Sequence, residues 1–289
     1  MYALAPLSPE EAKTIEEKIA GYNFSVAPPV PGADFEKPVY KVVGRDGELL
    51  GGLITSLDRW GALELENLWI DDKCRGMGLG SALIRAAEND AREKGRYLSI
   101  VSTWSYQARP LYEKHGYTLC STVTDWPKGY DSYFLSKRLD RPSREYVPPK
   151  PDAGLEITLG DEKDAQFIHR KLHEYNCSKV PRLHAHIAVE RKLVGGDGAM
   201  IAGCSADIDG LDIALLGSIW VDEAHRGAGA GSYLLGEVER GVKEAGGIFT
   251  VAYAYDWQVG FFEKNGYALC GAIEDYPRGH RRYALKKIL

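Results

Sequence analysis

LWIDDKCRGMGLGSALI, from Leu68 to Ile84, returns in altered form as IWVDEAHRGAGAGSYLL from Ile219 to Leu235. Trp69 and Trp220 lie 151 positions apart, as do Arg75 and Arg226. Each copy reads as an apolar strand, an acidic pair, an arginine, a glycine-rich turn and a helix start. Arg-x-x-Gly-x-Gly after a strand sets successive backbone N–H groups into a concavity at a helix N-terminus. Its glycines let a phosphate approach without a Cβ in the way. Two copies predict two such modules in one chain.

The repetition runs on past the glycines. Tyr112-Glu-Lys-His-Gly-Tyr117 matches Phe262-Glu-Lys-Asn-Gly-Tyr267 at an offset of 150, so copy two has lost one residue between Gln258 and Phe262. Cys120 matches Cys270, Asp125-Trp-Pro-Lys-Gly129 matches Asp275-Tyr-Pro-Arg-Gly279, and Tyr133 matches Tyr283. Upstream, KIAGYNFS (Lys18–Ser25) resembles KLHEYNCS (Lys171–Ser178). Duplication followed by divergence accounts for this many ordered matches. At 289 residues, two modules of ordinary domain size fit. The expected boundaries are a first domain at 1–140, a stiff Pro-rich linker at 141–154 and a second domain at 155–289.

Composition excludes several function classes. Residues 1–140 hold 17 basic and 20 acidic residues, and residues 155–289 hold 16 and 19. Neither half is basic, so a nucleic-acid surface is not expected. No run of 18 apolar residues exists, so no membrane span is expected. The N-terminus does not read as a signal peptide. Five cysteines without CxxC spacing predict reduced thiols and a cytoplasmic location. His184 and His186 alternate with apolar residues, but no Cys/Asp cluster accompanies them, so no metal site is expected. Asp125 and Asp275, each two residues before a proline, read as turn residues. A contact to a substrate ammonium is the alternative for them.

Periodicity orders one module. A helix over Pro9–Ala20 has Ser8 as N-cap and Glu11 three residues on. Strands are expected at Val39–Val43, Leu49–Leu57, Leu63–Ile70, Tyr97–Thr103, Tyr117–Val123 and Tyr133–Leu139. Helices are expected at Gly80–Lys94 and Gln107–His115. Copy two predicts a helix at Glu162–Tyr175, strands at Ala199–Ala206 and Leu211–Val221, and a helix from Gly231.

Three phosphate motifs compete for the glycine phrase. A Walker turn needs Gly-Lys-Ser/Thr, and no lysine follows either glycine run. A dinucleotide fingerprint needs a third glycine where Ser81 and Ser232 stand. The third motif, Arg-x-x-Gly-x-Gly followed by a strand and Leu-Tyr-Glu-Lys-x-Gly-Tyr, resembles the GNAT superfamily of acyl-CoA N-acyltransferases. The resemblance covers nearly all of the chain outside the linker.

The resemblance implies an α/β fold of two tandem domains, each a mixed, largely antiparallel sheet flanked by helices. It implies acetyl-CoA as co-substrate. The diphosphate is expected on Arg75, Gly76, Met77, Gly78, Leu79, Gly80 and Ser81, and in copy two on Arg226, Gly227, Ala228, Gly229, Ala230, Gly231 and Ser232. The pantetheine arm is expected along Leu68 and Ile70, and along Ile219 and Val221. The family's usual asparagine is replaced by Ser105 and by Tyr255.

The resemblance also assigns chemistry. Transfer to an amine needs a base for the amine and an acid for the leaving thiolate. Tyr112 stands at the family's acid position, where copy two has Phe262. Glu64 and Glu66 lie on the strand that carries the family's base, where copy two has Leu215 and Gly217; Glu66 is the expected base. The expectation is therefore N-acetylation of a small-molecule primary amine in the first domain, with the second as a cofactor-binding partner. The two domains are expected to form an intramolecular pseudo-dimer in a monomeric protein. A non-catalytic acyl-CoA sensor is the alternative from another class.

Overall fold

The computed structural model describes residues 2–141, Tyr146 and residues 155–289. The expected linker at 141–154 lies outside the described residues, apart from Arg141 and Tyr146.

In chain order the first repeat forms β1 (Ala3–Pro6), α1 (Pro9–Val26), β2 (Val39–Val43), β3 (Leu49–Leu57), β4 (Ala62–Ile70), α2 (Leu79–Glu93), β5 (Leu98–Trp104), α3 (Arg109–Lys114), β6 (Thr118–Val123) and β7 (Ser132–Arg138). The second forms β8 (Glu156–Leu159), α4 (Glu162–Lys179), β9 (Ile187–Val194), β10 (Met200–Ile208), β11 (Ile213–Val221), α5 (Ala230–Glu244), β12 (Phe249–Tyr255), α6 (Asp256–Lys264), β13 (Ala268–Glu274) and β14 (Arg281–Ile288).

Local chemistry explains the helix starts. The Ser8 hydroxyl accepts from the Glu11 N–H at 3.3 Å, and the Glu11 carboxylate accepts from the Ser8 N–H at 2.9 Å. Asp161 and Asp164 close the same reciprocal box on α4, at 3.0 and 2.9 Å. Helix α2 buries Leu83, Ile84, Ala87 and Ala91, the predicted face. Helix α1 continues past Ala20 to Val26, and α4 past Tyr175 to Lys179. Strands β1, β8 and β9 are additions to the sequence reading.

The chain separates into two compact units that cut across the repeats. The Arg75 unit holds Pro29–Pro181 and Ile273–Gly279; the Arg226 unit holds Met1–Pro28, Arg182–Ala272 and His280–Leu289. This differs from a division at 1–140 and 155–289. The first strand and helix of each repeat belong to the unit built on the other repeat. Strand pairing and packing are the cause. In the Arg75 unit β8 pairs antiparallel with β2, from Tyr40 opposite Leu159 to Val43 opposite Glu156. In the Arg226 unit β1 pairs antiparallel with β9, from Ala3 opposite Val194 to Pro6 opposite Arg191.

The exchanged helices pack alike. Ile168 of α4 is fully buried with Val39, Ile54 and Trp69. Its Cδ1 occupies the place that a side chain on Gly52 would need, and Ile15 of α1 stands in the same relation to Gly203. Lys41 of β2 pairs with Asp164 at 2.8 Å, as Lys192 of β9 pairs with Glu11 at 2.5 Å.

Strand order in the Arg75 unit is β6-β7-β5-β4-β3-β2-β8, and in the Arg226 unit β13-β14-β12-β11-β10-β9-β1. β4 with β5 and β11 with β12 run parallel, while their outer neighbours pair antiparallel. The parallel pairing is short. It stops at Leu65 opposite Val101 and at Leu215 opposite Val251, although all four strands continue. Asn67 to Ile70 thus keep β3 on one edge, and among the described residues no strand pairs with their other edge.

Candidate acyl-CoA and acyl-transfer site

The glycine turns have the geometry that their sequence predicts. Gly76 and Gly78 take φ values of 80° and 82°, and Gly227 and Gly229 take 78° and 85°. Among the described residues, no atom lies within 4 Å of the place that a Cβ would take on Gly76, Gly227 or Gly229. Gly78 and Gly229 are the N-caps of α2 and α5, and no side chain caps either helix. The first N–H groups of each helix are therefore left for water or a ligand. Leu79, Ser81 and Ala230 are buried, so their backbone rather than their side chains faces such a ligand. Met77, Ala228 and Ser232 are exposed or half-buried.

The acidic pair before each turn is structural. Asp71 caps a one-turn helix at Asp72–Cys74 by accepting from the Lys73 N–H at 3.0 Å, and Asp222 accepts from the Ala224 N–H at 3.1 Å. Asp72 also holds Arg75 at 2.6 Å. The Arg75 Nε–H donates to the Ile70 carbonyl at 3.3 Å, and the Arg226 Nε–H to the Val221 carbonyl at 3.1 Å. Each guanidinium also lies over a tyrosine ring of the exchanged helix: Arg75 over Tyr175 at 5.4 Å, Arg226 over Tyr22 at 5.5 Å.

The turn, the end of β4 and α3 are close neighbours. A side chain on Gly80 would touch Leu111 at 3.5 Å, Leu68 at 3.7 Å and Ile70 at 3.9 Å. On Gly231 it would meet Phe261 and Val221, both at 3.2 Å. Leu68, Ile70 and Val221 thus lie beside the turns, and with Ile219 they stand on the strand segments that run past the parallel pairing.

Tyr112, next to Leu111 on α3, is buried in the core with Leu65, Leu79 and Tyr117. Its ring meets the edge of Tyr117 with centroids 5.9 Å apart. Among the described residues its hydroxyl has no hydrogen-bond partner. Burial pushes its pKa well above the ordinary tyrosine value, so it keeps its proton at neutral pH. Phe262 packs on Tyr267 in the same way, at 5.3 Å, without a hydroxyl.

Glu66 is the bulge residue of β4. Leu65 faces Thr55 and Asn67 faces Ile54, which leaves Glu66 unopposed and open to solvent, with Lys37 at 3.9 Å. A bulge re-aims a side chain at a strand edge. Glu64 lies within the doubly paired part of β4, opposite Ser56 and Ile100. Among the described residues no hydrogen bond joins Glu66 to Tyr112. At the matching place in copy two, Ser205 Oγ accepts from the Ser218 N–H at 3.1 Å and would lie 2.8 Å from a Cβ on Gly217. A glutamate there would require the Ser205 hydroxyl to move and give up that hydrogen bond.

Other residues have structural duties. The Ser105 N–H donates to the Asp131 carbonyl at 2.8 Å, and the Ser105 hydroxyl accepts from the Asp131 N–H at 3.1 Å. Asp125 and Asp275 accept from the N–H of Gly129 and Gly279 at 2.6 Å, and Asp275 also holds Arg138. They act as the expected turn residues. His184 bonds to Asp212 at 2.8 Å, and among the described residues no group of three metal-ligating side chains occurs. No helix among them is long and apolar enough to cross a membrane.

Gln107 and Gln258 escaped the sequence reading. The Gln107 Oε1 accepts from the Trp104 N–H at 2.9 Å and from Thr103 Oγ1 at 3.1 Å, which shapes the corner between β5 and α3. Its amide donates to Asn176 of α4 at 2.9 Å. Gln258 accepts from the Tyr255 N–H at 3.1 Å, while Asn23 of α1 accepts from Gln258 and Trp257 at 3.4 and 3.0 Å. The signal for them was the KIAGYNFS/KLHEYNCS repeat, whose Tyr-Asn pair makes these contacts.

Comparison with known proteins finds the same family in both repeats. The model of the acetyltransferase (GNAT) family matches residues 10–117, and that of the acetyltransferase (GNAT) domain matches residues 182–269. The chain is 44% identical over 97 residues to a blasticidin-S acetyltransferase of Streptomyces morookaense, covering 33% of this chain and 71% of that protein. It is 30% identical over 93 residues to a streptothricin acetyltransferase of Streptomyces lavendulae, covering 31% and 49%. An acetyltransferase structure from Bacillus cereus is 32% identical over 45% of this chain and 93% of its own, with a TM-score of 0.43. With an uncapped glycine turn and a matching family model in each repeat, the chain belongs to the GNAT family of acetyltransferases and carries two of its domains in tandem.

Proposed function

We propose that this chain moves the acetyl group of acetyl-CoA to a primary amine of a small molecule, and that the reaction takes place in the Arg75 unit. The Arg226 unit binds the same cofactor without turning it over. One observation carries the division: a buried phenol with an unengaged hydroxyl at Tyr112, where the other repeat has Phe262. The bulged Glu66, where the other repeat has Gly217, supports it.

Both glycine turns fit a CoA diphosphate, since they offer uncapped helix N–H groups, open space where side chains are missing, and an arginine. Bound acetyl-CoA supplies the thioester. The amine nitrogen forms a bond to its carbonyl carbon, and the C–S bond breaks. Glu66, directly or through water, takes the proton that the amine releases. Tyr112 gives its proton to the departing sulfur. Each such proton transfer is worth typically 10² to 10⁴ in rate.

The acceptor class rests on the relatives. Those matched at 44% and 30% identity are named for blasticidin-S and streptothricin, so an antibiotic amine is the first class to try. The test is incubation with acetyl-CoA and a panel of amines: blasticidin S, streptothricin, a polyamine and an amino acid. Release of free CoA and the mass of the product are followed. An acetylated antibiotic is the expected product. CoA binding with no acetylated product from any amine would favour a non-catalytic binding protein.

A further inference from the structure

The exchanged helix of the second repeat touches both halves of the first repeat's site. On one side, the Tyr175 ring lies under the Arg75 guanidinium, 5.4 Å away, and its hydroxyl donates to the Tyr106 carbonyl at 3.4 Å. On the other, Asn176 accepts from Gln107 at 2.9 Å, and Gln107 fixes the corner from which α3 carries Tyr112. Adjacent residues on one helix thus reach the arginine of the glycine turn and the corner that leads into the acid's helix.

The arrangement is built twice. Tyr22 lies under Arg226, and Asn23 bonds to Gln258, again from the helix of the opposite repeat. The same Tyr-Asn pair meets the same Arg and Gln in both units, so divergence after the duplication has kept these contacts. Asn23 is also buried, and it accepts a second bond from Trp257.

We propose that Tyr175 and Asn176 are positioning residues for acetyl transfer in the Arg75 unit: Tyr175 orients Arg75 at the CoA turn, and Asn176, through Gln107, sets the entry to α3 and Tyr112. The site built on the first repeat is incomplete without two residues of the second. This inference rests on the function proposed above. It gives the duplication a use, since each half supplies the other's cradle with its tyrosine.

The test uses the full chain. In Tyr175→Ala the KM for acetyl-CoA rises about three- to tenfold with little change in kcat, as expected for the loss of a partly exposed cation–π contact. In Asn176→Ala kcat falls about three- to tenfold with KM for acetyl-CoA nearly unchanged, the scale of one lost hydrogen bond. Tyr175→Phe keeps the ring and Asn176→Asp keeps the acceptor, so each restores most of the lost parameter. Calorimetry with CoA is read in parallel: Tyr175→Ala weakens one of two sites, and Tyr22→Ala weakens the other. Melting temperatures identify a variant that is merely unfolded, and the Phe and Asp variants then decide. Equal damage by Tyr175→Ala and Tyr175→Phe, or CoA binding unchanged in Tyr175→Ala, overturns the inference while leaving the function intact. A parent chain that binds no CoA overturns both.

Discussion

Ile168→Ala is the sharpest probe of the exchange between repeats. Ile168 has no exposed surface, lies among Val39, Ile54 and Trp69, and rests on the bare backbone of Gly52. Truncation leaves a cavity that glycine cannot help to fill, and Ile→Ala at such sites costs about 2–5 kcal/mol. The opening free energy of the strands beneath the helix falls by that amount. At about 1.4 kcal/mol per factor of ten, amide exchange there speeds up by at least roughly thirtyfold. Ile168 is a residue of the second repeat, yet the affected amides are those of β2, β3 and β4, residues 39–70 of the first. Ile15→Ala, its counterpart on α1, speeds exchange in β9, β10 and β11, residues 187–221. Hydrogen exchange read by mass spectrometry resolves these segments. If Ile168→Ala instead loosened 187–221 and left 39–70 protected, each helix would belong to its own repeat, and the positioning role of Tyr175 and Asn176 would fall with the exchange.

Two further outcomes follow from the geometry. Gly78→Glu and Gly229→Glu place a side chain on a residue at positive φ in the anion cradle, so each should remove one of two CoA sites in a calorimetric titration. A parent stoichiometry of one would mean that a turn is only structural. His115, 2% exposed, is held by burial at a pKa of about 4, with Glu88 working against that shift and Lys137, Arg85 and Lys114 adding to it. The unfolded chain therefore binds the proton more tightly, near the ordinary value of 6.5. Its stabilising contribution is complete above pH 6.5 and is lost as pH falls towards 4, at up to about 1.4 kcal/mol per pH unit. His115→Asn, which installs the residue found at Asn265, should flatten urea-unfolding stability between pH 6.5 and 5; an unchanged slope would contradict the assignment.

Much of the fold is legible in the residues. Gly76, Gly78, Gly227 and Gly229 announce left-handed turns because few other residues take positive φ without strain. Ser8 with Glu11 announces a helix start, and β2 and β3 fall on Val39–Val43 and Leu49–Leu57 as periodicity predicts. Strands β1 and β8 escape because four residues carry too little alternation to register. The exchange is hidden for a stronger reason. Tyr22-Asn23 and Tyr175-Asn176 are chemically the same, as are Lys41 and Lys192, so no local preference tells a helix which sheet to join. The repeat that reveals two modules also conceals which strand and helix complete each.

Within the site, the two cradles and the loss of a phenol at Phe262 are visible in sequence. The approach of the Ser205 hydroxyl to Gly217 is not, because it comes from a neighbouring strand. Nor is the bulge that frees Glu66, since register appears only once β3 and β4 are paired.

In the proposed reaction, acetyl transfer runs on the proton of Tyr112. Steady-state turnover of Tyr112→Phe tests it most directly, with the amine that the panel identifies and with CoA release as the readout. The substitution keeps the ring that packs on Tyr117 and removes only the hydroxyl. Loss of that proton should lower kcat by roughly 10² to 10⁴ with the KM for acetyl-CoA little changed. A fully active Tyr112→Phe, together with loss of turnover on altering the Arg226 turn, would place the chemistry in the other unit.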